Sequence, residues 1–176
     1  MREGVNFWLP PFAAIPLMGN PGGCHEVAGL LKQAGLRAAV KDVGFQGMQA
    51  ATTALLTALV AGLELAGWSF EAYRQSPWLK HAAHGAREAI GGQMPKQGFV
   101  TRAMLRTGLS SFALALATYI LPALTPFDLE RYLKLHYSKT RGQTLALLAL
   151  FAGDGIRDGL PVEDIQRLLA GLLASP

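Results

Sequence analysis

The chain has 176 residues, enough for one well-cored domain or for a domain with part of a second. Apolar residues make up 51% and charged residues only 16%, with a mean hydropathy of +0.25, a balance that excludes disorder and suits a mostly buried helical protein. The single cysteine, Cys24, excludes an intramolecular disulfide, and the net charge of +4 is scattered instead of interleaved with aromatics, which argues against a nucleic-acid partner.

The first forty residues differ from the rest. Met1–Leu17 lacks a basic stretch followed by an apolar secretory core, so a cytoplasmic location is the expectation. Val5, Phe7 and Leu9 alternate with Asn6 and Trp8 in a strand-like run that Pro10 and Pro11 end. The Pro- and Gly-rich stretch Ile15–Gly23 reads as a loop. From Cys24 a helical period appears in Val27, Leu30 and Leu31 and stops at Gly35, and Ala38–Val40 reads as a second short strand. A strand, helix, strand unit cannot bury both faces of its own sheet, so residues 1–42 read as the trailing part of an α/β domain. GNPGG is neither a Walker sequence nor a G-x-G-x-x-G and is read as a turn, not a phosphate cradle. Cys24 and His25, adjacent on a helix, point about 100° apart and do not form a thiolate–base pair.

Val43–Leu63 has no charged residue between Asp42 and Glu64. Leu55, Leu59 and Leu63 share one face, with Leu56 and Val60 beside them and Ala, Gly and Thr elsewhere, so a fully enclosed central helix is predicted. About 20 uncharged residues would also span a bilayer. Gln46, Gln49, Thr52, Thr53 and Thr57, with no aromatic belt, favour enclosure by protein and leave membrane association as the lesser reading.

Ser69 then caps a new helix with Glu71 in its first turn, and Ser76-Pro77 opens another that runs to Ile90 before Gly91-Gly92. On it His81, His84 and Glu88 fall near one face. That trio admits a metal, but without a flanking ligand motif a solvated face is the preferred reading, and no metal site is assigned. Gly91–Gly98 reads as a loop. Val100–Leu121 is predicted helical from Met104, Leu105, Leu109, Phe112, Leu116 and Ile120, ending at Pro122. Thr125, Pro126 and Asp128 then make a start signal, with Thr125 as cap and Pro126 in the first helical position. A polar block, His136 to Thr144, separates this helix from one carrying Leu145, Leu148, Phe151 and Ala152. Gly159 ends that helix, and Pro161 opens a last one with a stripe of Ile165, Leu168, Leu169, Leu172 and Leu173. Residues 43–176 thus read as an all-α domain of about seven helices.

The WLPPF-type strand and loop, the helix beginning near DVGFQGMQA, the K-x-x-x-Q-T block from Lys139 to Thr144 and the ending GIRDGLPVEDIQRLLAGL together resemble the C-terminal part of ketopantoate reductase-family proteins, in a divergent branch. The resemblance covers nearly the whole chain, and SKTRGQT and DGLPVEDIQRLL are its distinctive segments. It implies an all-α domain like the C-terminal domain of 6-phosphogluconate dehydrogenase, preceded at 1–42 by the last part of a Rossmann domain. It also implies NADPH as cofactor and a small keto acid as substrate. No G-x-G-x-x-G follows a strand here, so the cofactor is expected to be held mainly outside this chain. The family's catalytic lysine position falls on Gln46 and its two asparagine positions on Ala50 and Ala54. The position of its substrate-binding glutamate falls on Gln143. The departures imply a substrate other than ketopantoate. They leave Lys139 as the expected proton donor, with Arg141, Gln143 and Gln46 around the substrate. The rival expectation is a helical dimerisation or interaction module using an apolar strip of the Val100–Leu121 helix.

Overall fold

The computed structural model of the protein describes residues 13–41, 44–93 and 107–175. Of these, 76% are helical and 4% strand, which makes the protein all-α in class. The chain separates into two compact units, Met1–Met48 and Gln49–Pro176. The predicted strand at Val5–Leu9 and the predicted helical segment before residue 107 lie outside the described residues.

In the first unit, β1 (Ile15–Leu17) pairs in parallel with β2 (Ala38–Val40), and α1 (Pro21–Gln33) makes the crossover. The stretch expected to be a loop therefore contains a strand. Pro16 sits in it without disrupting the ladder, because the cross-strand bonds that flank it run from the Ile15 N–H to the Arg37 carbonyl and from the Lys41 N–H to the Leu17 carbonyl. The helix also starts earlier than Cys24. Asn20 caps it by accepting from the Gly22 N–H at 2.9 Å, and Pro21 takes the first position, where a missing N–H costs nothing. Gly35, at φ 76°, closes it: the Leu36 N–H reaches back to the Leu31 carbonyl in the manner of a Schellman turn.

The second unit is built on α2 (Gly44–Leu65), which enters it from the first, followed by α3 (Phe70–Gln75), α4 (Trp78–Gln93) and α5 (Ser111–Leu124). It is completed by α6 (Leu129–Lys139), α7 (Arg141–Arg157) and α8 (Glu163–Ala174). Its main core joins Ala54, Ala58 and Ala61 of α2, Ala86, Ala89 and Ile90 of α4, Leu148, Phe151 and Ala152 of α7, and Ile165, Leu168 and Leu172 of α8. A second cluster gathers Leu63, Phe70, Tyr73, Leu79, Ala82, Ala83 and Leu114.

The burial of α2 is shared between small and large side chains, and the helix is not fully enclosed. Val60 and Leu63 of the expected face are buried together with Ala54, Ala58 and Ala61, whereas Leu55 and Leu59 are half-buried, Leu56 is 44% exposed and Thr52 and Thr53 are exposed. Small side chains let two backbones approach, and every atom of the seam then has a neighbour. A Cβ on Gly62 would lie 2.8 Å from the Ala82 Cβ, and one on Gly85 would lie 3.0 Å from Leu168. α4, whose His81, His84 and Glu88 were expected on a solvated face, buries its other side at Leu79, Ala82, Ala83, Gly85, Ala86, Ala89 and Ile90.

Several boundaries differ from expectation for local reasons. α4 runs through Gly91 and Gly92 to Gln93. α5 begins at Ser111, because the Ser110 side chain accepts from the Ala113 N–H at 3.2 Å, and Pro122 lies inside it instead of ending it. Asp128, not Thr125, caps α6 by accepting from the Arg131 N–H at 3.0 Å, so Pro126 precedes the helix. On α8, Leu173 is 67% exposed and falls outside the predicted stripe. Among the described residues, no single helix is long and apolar enough to cross a membrane.

Candidate functional site

The polar block expected to hold the chemistry forms the junction of α6 and α7. The two helices are nearly continuous: the Thr140 N–H bonds the Tyr137 carbonyl at 3.1 Å, and the Thr140 carbonyl accepts from the Gln143 and Thr144 N–H groups at 2.9 and 3.1 Å. Lys139 ends α6 and is exposed, next to the helix's last carbonyls, whose partial negative charge suits an ammonium. Gln143 is exposed in the first turn of α7. Neither side chain has a hydrogen bond or ion pair to another described residue, so both are open to a ligand.

Arg141, between them, is not open in the same way. Its Nε donates to Glu64 Oε1 at 2.6 Å, and its Nη2 donates to the Leu172 carbonyl at 2.6 Å, the Ser175 carbonyl at 2.9 Å and Ser175 Oγ at 2.7 Å. The guanidinium thus joins the start of α7 to the last turn of α2 and the last turn of α8. Its fork geometry supplies several donors in one plane, which a lysine cannot do. Glu64 is the first charge after the apolar run of α2, and its side chain is only 12% exposed. Its Oε2 has no hydrogen-bond partner among the described residues. Gln46 lies in the first turn of α2, ahead of Met48, where only the helical backbone is described.

The histidines of α4 partner a carboxylate of α8. His81 Nδ1 lies 2.6 Å from Asp164 Oδ1 and His84 Nδ1 lies 3.2 Å from Asp164 Oδ2, with Arg167 Nη1 3.7 Å from the first oxygen. The Trp78 ring meets the His81 imidazole edge to face, with centroids 5.8 Å apart. Glu88 faces the first turn of α8 and accepts from the Asp164 and Ile165 N–H groups, each at 3.0 Å. It is a cap supplied by another helix, since Val162 occupies the cap position with no side-chain acceptor. Burial raises the Glu88 pKa, the two N–H bonds oppose that rise, and the charges of Asp164 and Glu163 add to it. Among the described residues no group of three His, Cys, Asp or Glu side chains is placed to hold a metal ion.

A third locus was not legible in the sequence. An open cleft of about 430 Å³ lies between α3, α5 and the start of α6. Arg74 Nη1 donates to Thr118 Oγ1 at 3.1 Å, and its guanidinium carbon sits 3.8 Å from the centroid of the Tyr119 ring. Two of the acids lining it are engaged at helix starts: Glu130 accepts from the Phe70 N–H and Asp128 from the Arg131 N–H. In the first unit, Cys24 is buried and His25 Nδ1 lies 2.7 Å from the Pro21 carbonyl.

Of the four predicted site residues, Lys139, Arg141 and Gln143 are brought to one junction by sequence adjacency alone. Glu64 and Asp164 were missed. A lone carboxylate closing an apolar run was a signal that a cation had to meet it. Nothing local connects Asp164 with residues 83 positions earlier. Comparison with protein-family models, with curated proteins and with solved structures finds no match to this chain.

Proposed function

We propose that this chain is the substrate-side portion of an NADPH-dependent oxidoreductase of the ketopantoate reductase kind, acting in the cytoplasm on a small keto acid other than ketopantoate. The observation that carries this reading is the order of elements: a parallel strand, helix, strand unit leads directly into the 22-residue α2 and from there into an all-α unit. A parallel pair needs cover on both faces, and Val27, Leu30 and Val40 of that unit are 44%, 60% and 40% exposed. This agrees with the end of a dinucleotide-binding sheet, and the all-α unit then corresponds to a helical domain of the 6-phosphogluconate dehydrogenase C-terminal kind.

In this reading Lys139 delivers the proton to the carbonyl oxygen, and Gln143 and Gln46 hydrogen-bond the substrate. Arg141, which donates to Glu64 and to the end of α8, then positions the Lys139–Gln143 turn instead of binding the substrate carboxylate. An ammonium exposed to water becomes an effective acid only when closure excludes that water, so the cofactor-bearing domain has to cover this junction. NADPH itself supplies the hydride.

The test is calorimetric titration of NADPH into this chain, followed by NADPH consumption by the protein at its full natural length against a panel of 2-keto acids. Absence of tight binding by the chain together with turnover of one keto acid supports the proposal. Tight NADPH binding by the chain overturns the division of labour, and no turnover of any carbonyl acid overturns the activity.

A further inference from the structure

The outer arc of α6 carries chemistry that neither the core nor the proposed proton transfer uses. The inner side of this helix is spent on packing, since Leu129 and Leu133 lie against the second core cluster. Its outer side presents Arg131, Tyr132, Lys134, Leu135, His136 and Lys139, all exposed. The rings among them form a row. Tyr132 and His136, one turn apart, stack with centroids 5.7 Å apart and planes 13° apart. Phe127 leans on Tyr132 at 5.3 Å, and Tyr137 meets the His136 ring edge to face at 4.8 Å, so the pair is braced from both ends.

The charge beside the rings is of one sign. Arg131, Lys134 and Lys139 make no ion pair with another described residue. The two acids at the start of the helix are both engaged, Asp128 by the Arg131 N–H and Glu130 by the Phe70 N–H. Over the whole chain the positive charge is scattered, but from Arg131 to Lys139 it alternates with aromatics, and the fold leaves that alternation in water.

We infer that this arc of α6 binds single-stranded nucleic acid, with bases stacking on Tyr132 and His136 and phosphates paired with Arg131, Lys134 and Lys139. Every base has a π-face, so a ring platform beside free cations takes a strand without reading its sequence. At 1.5 Å per residue the cations span about 12 Å, the length of roughly three stacked nucleotides. A small planar acid fits less well, because such a ligand needs a concavity that buries most of it, and the neighbouring cleft stops at Glu130. An anionic membrane surface would need rings and cations segregated on opposite sides of the helix. Here Tyr132, His136 and Lys139 fall within one arc of about 60° at 100° per residue, and the apolar side is already packed. The inference does not rest on the reductase reading: the binding is tested without NADPH or a keto acid, and the variants leave Lys139 in place.

The experiment is fluorescence anisotropy of a fluorescein-labelled oligothymidylate of about twelve nucleotides, titrated with the full chain. A Kd between about 1 and 100 µM is expected at ~50 mM KCl, and three phosphate contacts predict about 20-fold weaker binding at ~200 mM. Tyr132→Ala with His136→Ala is expected to weaken binding at least ~5-fold and to leave the salt dependence unchanged. Arg131→Gln with Lys134→Gln is expected to weaken binding and to cut the salt effect to about 3-fold, the value for one remaining contact. Lys80→Gln, exposed on α4, is expected to change neither. Helical circular dichroism is expected to be the same for all variants, since every substituted side chain is exposed. Absence of binding at ~50 mM KCl up to ~200 µM chain overturns the inference. So does binding that Tyr132→Ala with His136→Ala leaves unchanged, or a duplex with oligoadenylate bound as tightly as the single strand, because its bases are hidden from the rings. Binding to phosphatidylserine vesicles without binding to the oligonucleotide overturns it and assigns the arc to lipid.

Discussion

Arg141 Nε lies 2.6 Å from Glu64 Oε1, an ion pair that joins the first residue of α7 to the last turn of α2 across 77 positions of sequence. Glu64 sits where the carbonyl dipoles of α2 disfavour a carboxylate, so its burial requires the cation. The same guanidinium satisfies the Leu172 and Ser175 carbonyls at the end of α8, which have no further turn to accept from.

Removing that side chain leaves a mostly buried carboxylate without its cation. Arg141→Ala is expected to cost about 2–3 kcal/mol, which for a chain of this size lowers Tm by roughly 5–10 °C. Arg141→Lys is expected to recover only part of this, because an ammonium cannot reach Glu64 and the α8 carbonyls in one plane. A thermal melt of Arg141→Ala within 1 °C of wild type would show that the knot contributes nothing.

Lys139 gives the opposite signature. It is exposed, so Lys139→Ala is expected to leave stability within ~0.5 kcal/mol. In the full-length enzyme on an identified substrate, the same change is expected to lower kcat and kcat/KM together by about 100-fold. Lys139→Arg is not expected to rescue, since guanidinium holds its proton. Unchanged turnover by Lys139→Ala removes the proton-donor assignment.

Glu88 sets a pH dependence. Burial raises its folded-state pKa above the unfolded value, so the neutral carboxyl favours the folded state. That contribution is complete below the ordinary glutamate range, ~4.3, and is lost as pH rises through the raised value. Glu88→Gln does not titrate and keeps an acceptor for the start of α8. The Tm of Glu88→Gln relative to wild type is therefore expected to climb as pH rises from below the ordinary glutamate range through the raised value. Glu88→Ala loses the cap and is expected to cost about 1 kcal/mol. A pH-independent difference between Glu88→Gln and wild type contradicts the raised carboxyl.

One substitution type is expected to change sign with position. Gly62→Ala places a Cβ 2.8 Å from Ala82 and 2.9 Å from the Tyr73 hydroxyl, both in the second core cluster, and is expected to destabilise by about 1–3 kcal/mol. Gly153→Ala, on an exposed turn of α7 with nothing within 4 Å of the new Cβ, is expected to stabilise by about 0.5–1 kcal/mol. Urea melts of the two variants check the pair.

The sequence alone was sufficient for what is decided within a few residues. The helical class follows from apolar recurrence at three and four positions. Ser69 caps α3, and Gly35 and Gly159, at φ 76° and 65°, close α1 and α7, because capping and left-handed backbone depend on a residue's own chemistry. Pro16 and Pro122 misled the reading. Whether a missing N–H matters depends on which side of the strand or helix needs a donor, and only the assembled ladder or turn decides that. The tertiary structure decided the rest. It sealed Ala54, Ala58 and Ala61 of α2 alongside Val60 and Leu63 while leaving Leu56 exposed, since the close approach of Gly62 to Ala82 fills space that larger side chains hold open. It gave His81 and His84 to Asp164, and Arg141 to Glu64, pairs 77 to 83 residues apart in which the sequence does not say which residue meets which. And it left the stripe of α5 uncovered, although in the sequence that stripe is indistinguishable from a core helix, because hydropathy records what a side chain avoids and not what stands next to it.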